Sequence, residues 1–307
     1  MLNNEYYALK EIPFYKLIRY TEIKSHLGEP NILKKLVNYN FINHIIASFY
    51  DLNNFYLVVN YYDGKSLYDY RFQNMTEYQI KFISACLIQA FIYLRKEEII
   101  HRDIRMHNLI FDEFSYLNLI DFSYSIQQKE LNDSRNYIQG DIFDNSPEIQ
   151  KKKAYDYNSD YYRLGGSIIH FLIFKKYANT VKKSRNSTNY TVNYKETNYS
   201  SACMDFLNKL LVEDYKKRLG FNSIDEMKNH IWFKGFDWKK LEKKKLKSPF
   251  KYEVKNINSS ICSKFNGSNE NMKMFEINSK KRYYKILKSK YEYVNKYKIF
   301  YILSKFK

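Results

Sequence analysis

The sequence predicts an α+β fold in two lobes, strand-rich first and helical after, and three observations carry that expectation. Residues 5–12 alternate well enough for a strand, and residues 41–62 read as two strands joined by a turn. From residue 76 onward, apolar residues recur at spacings of three and four, the period of helices laid on a core. Asp63-Gly64 marks a break between the two regimes. The 307 residues therefore divide into a partial strand lobe at 1–62, a helical lobe at 63–250 and a basic, aromatic tail at 251–307, with a cleft expected between the lobes.

Each element has a local reason. "EYYALKEI" (5–12) alternates as a strand. Residues 21–37 read as a charged helix interrupted at Pro30, whose ring and missing N–H oppose a helix interior. "FINHIIASFYDLNNFYLVVNYY" (41–62) reads as a hairpin turning near Asp51–Asn54. Over 76–98, Thr76 is an N-cap, and Ile80, Ile83, Leu87, Phe91 and Leu94 share one helical face. Short strands follow at 109–112 and 117–121, then helices at 158–175, 201–213 and 223–232. The polar, aperiodic run 178–200 reads as a loop. The tail reads as partly helical and packed on the body. A contact of its bases and aromatics with a membrane surface or RNA is the second reading.

Composition narrows the class. With 45% hydrophobic and 18% aromatic residues, the chain has a core and is not a disordered polymer. The net charge of +18 is spread as Lys among Asn, Ile and Tyr along the whole chain, the pattern of a solvated surface and not of a nucleic-acid stripe. Cys86, Cys203 and Cys262 are widely spaced and form no CxxC pair, so neither a disulfide framework nor a zinc site is indicated. "SIIHFLIF" (167–174) is too short to span a bilayer and no signal peptide opens the chain. A reducing, cytoplasmic compartment is expected.

The chemistry concentrates in "IIHRDIRMHNLIFDEFSYLNLIDFSYS" (99–125). Phosphoryl transfer needs a group to orient the attacking hydroxyl and metal ions to neutralise the phosphates. Magnesium takes hard oxygen donors, which Asp and Asn supply. The spacing puts Asp103 and Asn108 on one loop, and a hairpin returns Asp121 toward it.

These residues resemble the protein kinase family. His101-Arg102-Asp103 with Asn108 matches its catalytic loop, and Asp121-Phe122 the first two positions of its metal-binding DFG motif. The resemblance implies an ATP- and Mg²⁺-dependent enzyme acting on protein hydroxyls. Asp103 would orient or deprotonate the hydroxyl, Asn108 and Asp121 would hold Mg²⁺, and Arg105 would face the transferred phosphate. "YALK" is similar to the family's VAIK strand, so Lys10 would meet the ATP phosphates and Glu29 would orient Lys10. The resemblance further implies that adenine meets the backbone at Asn60–Tyr62, with Val59 behind it, and that Ala8, Leu67 and Ile110 line the nucleotide. Glu148, Arg218 and Asp160 match structural positions: a buried ion pair, and a helix carboxylate gripping the catalytic loop. Residues 218–250, with His230, Phe233, Asp237-Trp238 and Pro249-Phe250, resemble the lobe end of AGC-type serine/threonine kinases, similar to the cyclic-AMP-dependent and ribosomal S6 types.

Departures from the pattern carry expectations of their own. Only five residues precede "YYALK" and no G-x-G-x-x-G occurs. The Gly-rich loop is thus lacking from the resemblance, nucleotide affinity should be weak, and the first strand should present an open edge. Ser123 replaces the DFG glycine, at a conformational cost. Tyr137 and Asp141 stand where the activation segment carries threonines. Ser66, His107 and His170 fall where basophilic relatives carry acids, so a neutral or acidic protein substrate is expected. The tail lacks the family's hydrophobic ending. The competing reading is a catalytically inactive, partner-binding pseudokinase.

Overall fold

A computed structural model describes residues 6–14, 20–51, 53–133, 146–150, 156–175 and 198–253, and the strands Lys273–Phe275 and Ile299–Leu303. The activation-segment positions Tyr137 and Asp141 and most of the 178–200 loop lie outside the described residues. The chain forms two compact units. One gathers Met1–Val37, Asn43–Tyr62 and Lys255–Lys307, the other Asn38–Ile42 and Asp63–Val254.

The first unit is built on an antiparallel sheet. Tyr6–Pro13 (β1), Ile45–Tyr50 (β2) and Asn54–Asn60 (β3) form its middle. Asp51 makes the β2–β3 turn: its Oδ1 accepts the Asn53 and Asn54 N–H groups at 2.7 and 2.8 Å, a carboxylate standing in for a backbone turn. Leu9, Phe49, Tyr56 and Val58 cluster on one face. By the two-residue strand period, Ala8 and Lys10 lie on the other. Tyr20–Lys35 (α1) completes the unit and runs through Pro30. The expected interruption is therefore absent. A proline inside a helix, which loses one hydrogen bond and crowds the preceding turn, costs about 3 kcal/mol, and burying Ile32, Leu33 and Leu36 returns about 1.5–3 kcal/mol per side chain.

The sheet has no open edge at β1. Strands from the tail take both outer positions, giving the order β8-β2-β3-β1-β9, with Lys273–Phe275 as β8 and Ile299–Leu303 as β9. Tyr6 pairs Leu303 and Lys10 pairs Ile299. The sequence expectation of an exposed edge is corrected here, while most of the tail, expected to be partly helical, lies outside the described residues. The unpaired N–H and C=O row of β1 offers a template, and "IFYIL" is rich in strand-favouring residues.

The second unit surrounds Glu77–Lys96 (α2). Its capping box is closed reciprocally: Gln79 N–H donates to Thr76 Oγ1 at 3.2 Å and Thr76 N–H to Gln79 Oε1 at 2.9 Å. Phe82, Cys86, Ile88 and Ala90 are buried as well as the predicted stripe, so this helix is central and not a surface one. Beside it lie the strand pairs Ile99–Ile100 (β4) with Ile126–Gln127 (β7), and Leu109–Phe111 (β5) with Leu117–Leu119 (β6). Gly64 is dictated by close approach: a Cβ there would sit 2.1 Å from the Phe111 carbonyl oxygen.

The remaining helices are Pro147–Gln150 (α3), Asn158–Arg163 (α4), Phe171–Phe174 (α5), Ser201–Leu210 (α6), Asp225–Lys228 (α7) and Trp238–Glu242 (α8). Between α4 and α5 the helix widens to a π-helix over Leu164–His170. Gly165 lies in it, where a Cβ would approach Leu210 Cβ to 2.9 Å. The helix expected at 223–232 stops at Lys228. His230 breaks it by accepting the Trp232 N–H at 3.2 Å and starting a new turn. His230, Trp232 and Phe233 pack on Phe206, and Trp238 packs on Phe233. The chain then crosses the β5–β6 hairpin. Lys244 Nζ reaches Asp112 Oδ2 at 2.6 Å, Ser248 Oγ donates to the Ser115 carbonyl at 2.8 Å, and the Phe250 ring meets Phe111.

The expected pair of Glu148 and Arg218 is present. It is bidentate at 2.7 and 2.9 Å, and both side chains are buried. Removing one partner strands a buried charge, whereas removing both does not. Arg218→Met should therefore lower unfolding free energy by about 3–5 kcal/mol in urea titrations, and Glu148→Met/Arg218→Met should recover most of it. A double variant as unstable as the single one would contradict this account.

Candidate active site

The site in the second unit starts from a helix. Asp160, on α4, is 2% exposed. Its Oδ2 accepts the His101 N–H at 2.8 Å and its Oδ1 the Arg102 N–H at 2.9 Å. Burial pushes its pKa up, while His101, the two amides and Arg163 pull it down. The grip holds Arg102 at φ 67°, a left-handed conformation that costs an L-residue about 1–2 kcal/mol. Arg102 Nε–H donates to the Tyr124 carbonyl at 2.5 Å, tying the loop to the chain after Asp121.

His101 makes a second tie. Its Nδ1 accepts the Asp103 N–H at 3.2 Å, so Nε2 carries the proton toward the Ile120 carbonyl at 3.3 Å. Burial is the main force holding its pKa below the ordinary value and keeping the ring neutral. One imidazole thus joins the backbone of Asp103 to the residue before Asp121.

Asp103 is buried, and both its oxygens are engaged. Asn108 Nδ2 donates to Oδ2 at 2.7 Å and to the Asp103 carbonyl at 3.0 Å. Arg163 Nη1 stands 3.5 Å from Oδ1, long for a hydrogen bond but close for two buried charges. Both partners of the Asn108 amide nitrogen are acceptors, which fixes the amide and directs its oxygen away from Asp103. Asp121 sits at φ 60°, and its Oδ1 accepts the Ser123 N–H at 3.3 Å. The strain expected at Ser123 falls on Asp121 instead: Ser123 is not among the residues with positive φ.

A cationic, aromatic surface adjoins this loop. Arg105 and His107 are exposed. The His107 ring stacks on Tyr68 at 3.7 Å, and the Arg71 guanidinium lies over Tyr68 and Phe72 at 4.0 and 4.4 Å. Burial, then Arg105 and Arg71, hold the His107 pKa below its usual value. Ser66 and His170 do not share this surface role. Ser66 caps a turn with Asp69, and His170 is buried against Phe174. Leu67 is buried, and Ile110 is half-buried and bridged to Ser66.

In the first unit, Lys10 Nζ lies 3.0 Å from Glu29 Oε2, with side chains 13% and 3% exposed. Ala8 is the register partner of Val59, two positions along the strand from Lys10. Asn60 donates its N–H to the His44 carbonyl at 2.9 Å, and Tyr62 is half-buried. The structure thus joins Asp103 to Asn108 directly, Asp121 to that loop through His101, and Lys10 to Glu29.

Two contributors were missed from the sequence, the tie through His101 and the contact of Arg163. The signal for the second was a lone charge in the apolar run "YYRLGGSIIHFLIF". The donor set suits Mg²⁺: an amide oxygen and a carboxylate, both hard. Among the described residues no three His, Cys, Asp or Glu side chains gather as a metal cage.

Comparison with known proteins shows the family. The family model for the protein kinase domain matches residues 1–233. The chain is 29% identical over 267 residues to serine/threonine-protein kinase sgk-1 of Caenorhabditis elegans, covering 84% of this chain and 58% of that protein. It is 30% identical over 261 residues to serine/threonine-protein kinase Sgk1 of Danio rerio, covering 82% and 59%. Against cAMP-dependent protein kinase type 3 of Saccharomyces cerevisiae it is 26% identical over 255 residues, covering 81% and 63%. The chain therefore spans less than two thirds of the length of these relatives. Among the described residues no helix is long and apolar enough to cross a membrane.

Asp160→Ala should leave two buried amides without acceptors, at about 1–3 kcal/mol each. The expected result is a urea midpoint lowered accordingly. An unchanged midpoint would show that the loop holds its strained form without the helix.

Proposed function

Because the chain belongs to the protein kinase family, we propose that it transfers the γ-phosphate of ATP to serine or threonine hydroxyls of a protein substrate, in the manner of the AGC-type enzymes it is similar to. The observation that carries this reading is the joined pair Asp103–Asn108, in which the amide is oriented by the carboxylate and turns its oxygen to other use.

Asp103 holds the attacking hydroxyl in line and takes its proton as the new bond forms. Asn108 and Asp121 hold Mg²⁺, which when bound neutralises phosphate charge. Lys10, kept in place by Glu29, gives its ammonium to the phosphates, and Arg105 offers a second cation to the transferred group. Ala8, Val59, Leu67 and Ile110 supply apolar contact to adenine, and the backbone of Asn60 to Tyr62 its hydrogen bonds. The compartment we infer is cytoplasmic. Cys86 and Cys203 are free and buried, and burial pushes both thiols up to about 12, which keeps them inert.

Asp103→Asn should lower turnover by roughly 10²–10⁴-fold with binding of Mg²⁺·ATP preserved. Asp121→Asn should abolish the thermal shift produced by Mg²⁺·ATP. Turnover at the wild-type level in the first variant, or an unchanged shift in the second, would refute these assignments, and a wild-type protein that binds partners but never transfers phosphate would refute the enzyme.

The substrate we infer carries acidic residues beside its hydroxyl. Arg105 presents positive charge two residues after Asp103, and the Arg71 guanidinium, held over the rings of Tyr68 and Phe72, adds a second cation beside His107, whose ring stacks on Tyr68. In a comparison of serine peptides flanked by Asp or by Arg, the Asp peptide should be preferred, and Arg71→Ala should raise its KM several-fold. Preference for the Arg peptide would overturn the inference.

A further inference from the structure

We propose that Arg163 is a positioning residue for the phosphotransfer: from inside the protein it clamps one oxygen of the Asp103 carboxylate and so fixes the group that orients the substrate hydroxyl. The proposal rests on the kinase reading above, and its test separates the two.

The Arg163 side chain is 2% exposed and that of Asp103 7%, with Nη1 3.5 Å from Oδ1. A guanidinium is kept in a protein interior only with a compensating partner, because desolvation costs several kcal/mol per ion. Arg163 closes α4, three residues after Asp160, and residues three apart lie on one helix face. This one face therefore holds the catalytic loop twice, through the backbone amides of His101 and Arg102 and through the side chain of Asp103.

The two handles do different work. Asp160 sets the path of the backbone. Arg163 acts on a side-chain torsion that backbone bonds leave unset. With Asn108 hydrogen-bonded to Oδ2 and the Arg163 charge facing Oδ1, one orientation of the carboxylate plane is favoured from both sides. A carboxylate has about four lone-pair sites, so acceptor capacity remains for a hydroxyl. Arg163 is itself buried and has no access to substrate. Its removal should reduce turnover and leave substrate binding alone.

Two measurements test this. The first is a double-mutant cycle in thermal unfolding across Arg163→Met and Asp103→Asn, which needs no activity. Arg163→Met should cost less stability in the Asp103→Asn background than in wild type. Additive losses would overturn the proposal whether or not the protein is a kinase. The second is steady-state kinetics. Arg163→Met should lower kcat by roughly ten- to a hundredfold, the scale of a misplaced catalytic group, with KM values for ATP and peptide unchanged, and Arg163→Lys should recover most of the loss. An unchanged kcat, or a loss confined to KM, would overturn it. If Arg163→Met does not fold, the kcat and KM of Arg163→Lys decide: a modest loss in kcat alone supports the clamp, and a rise in KM alone refutes it. Coupling in the cycle with no turnover in wild type would refute the kinase reading and with it the positioning role.

Discussion

A buried carboxylate holding two backbone amides is the constraint on which the site depends. Asp160 accepts the N–H groups of His101 and Arg102 from inside α4, and Arg102 is thereby held in a left-handed conformation that would otherwise relax. The direction of Asp103, the reach of Asn108 back to it and the line from His101 to Ile120 all follow from that anchored backbone. An exposed carboxylate would give its acceptor capacity to water. Burial removes the competitor and leaves the amides as its partners.

The same logic of charges kept dry recurs through the second unit. Arg218 meets Glu148 in a bidentate pair and also donates to the Asn158 carbonyl at 2.7 Å, next to the helix that carries Asp160. Lys244 meets Asp112 against the rings of Phe41 and Tyr116. Arg163 meets Asp103. Such pairs add little net stability over apolar packing but are costly to break singly. They therefore specify register, here the seating of the helices beneath the loop, while the apolar core around α2 supplies the bulk of the burial.

In the first unit the governing constraint is different. A sheet must satisfy its outer backbone groups, and here segments from the tail do so on both sides, against β1 and against β2. Lys10 stands on the strand completed in this way, paired with β3 on one side and β9 on the other. The strand that carries the ammonium beside Glu29 is thus held in the sheet from both sides.

Much of this was readable without coordinates wherever the cause acts over a few residues. Thr76 and Gln79 close a capping box three positions apart, Asp51 bends a hairpin through its own neighbours, and the interval from Asp103 to Asn108 is a loop length. Contacts between distant parts could not be read so. Arg163 reaches Asp103 across 60 residues and Arg218 reaches Glu148 across 70, and nothing local in "YYRLGG" names a partner. Pro30 persists in a helix because Ile32, Leu33 and Leu36 are buried, and the run near 223–232 breaks where the His230 ring captures a backbone amide. "IFYIL" becomes a strand because an unpaired edge is there to receive it. In each case the outcome is a competition between local preference and burial or pairing elsewhere, and that competition is settled only when the whole chain is folded.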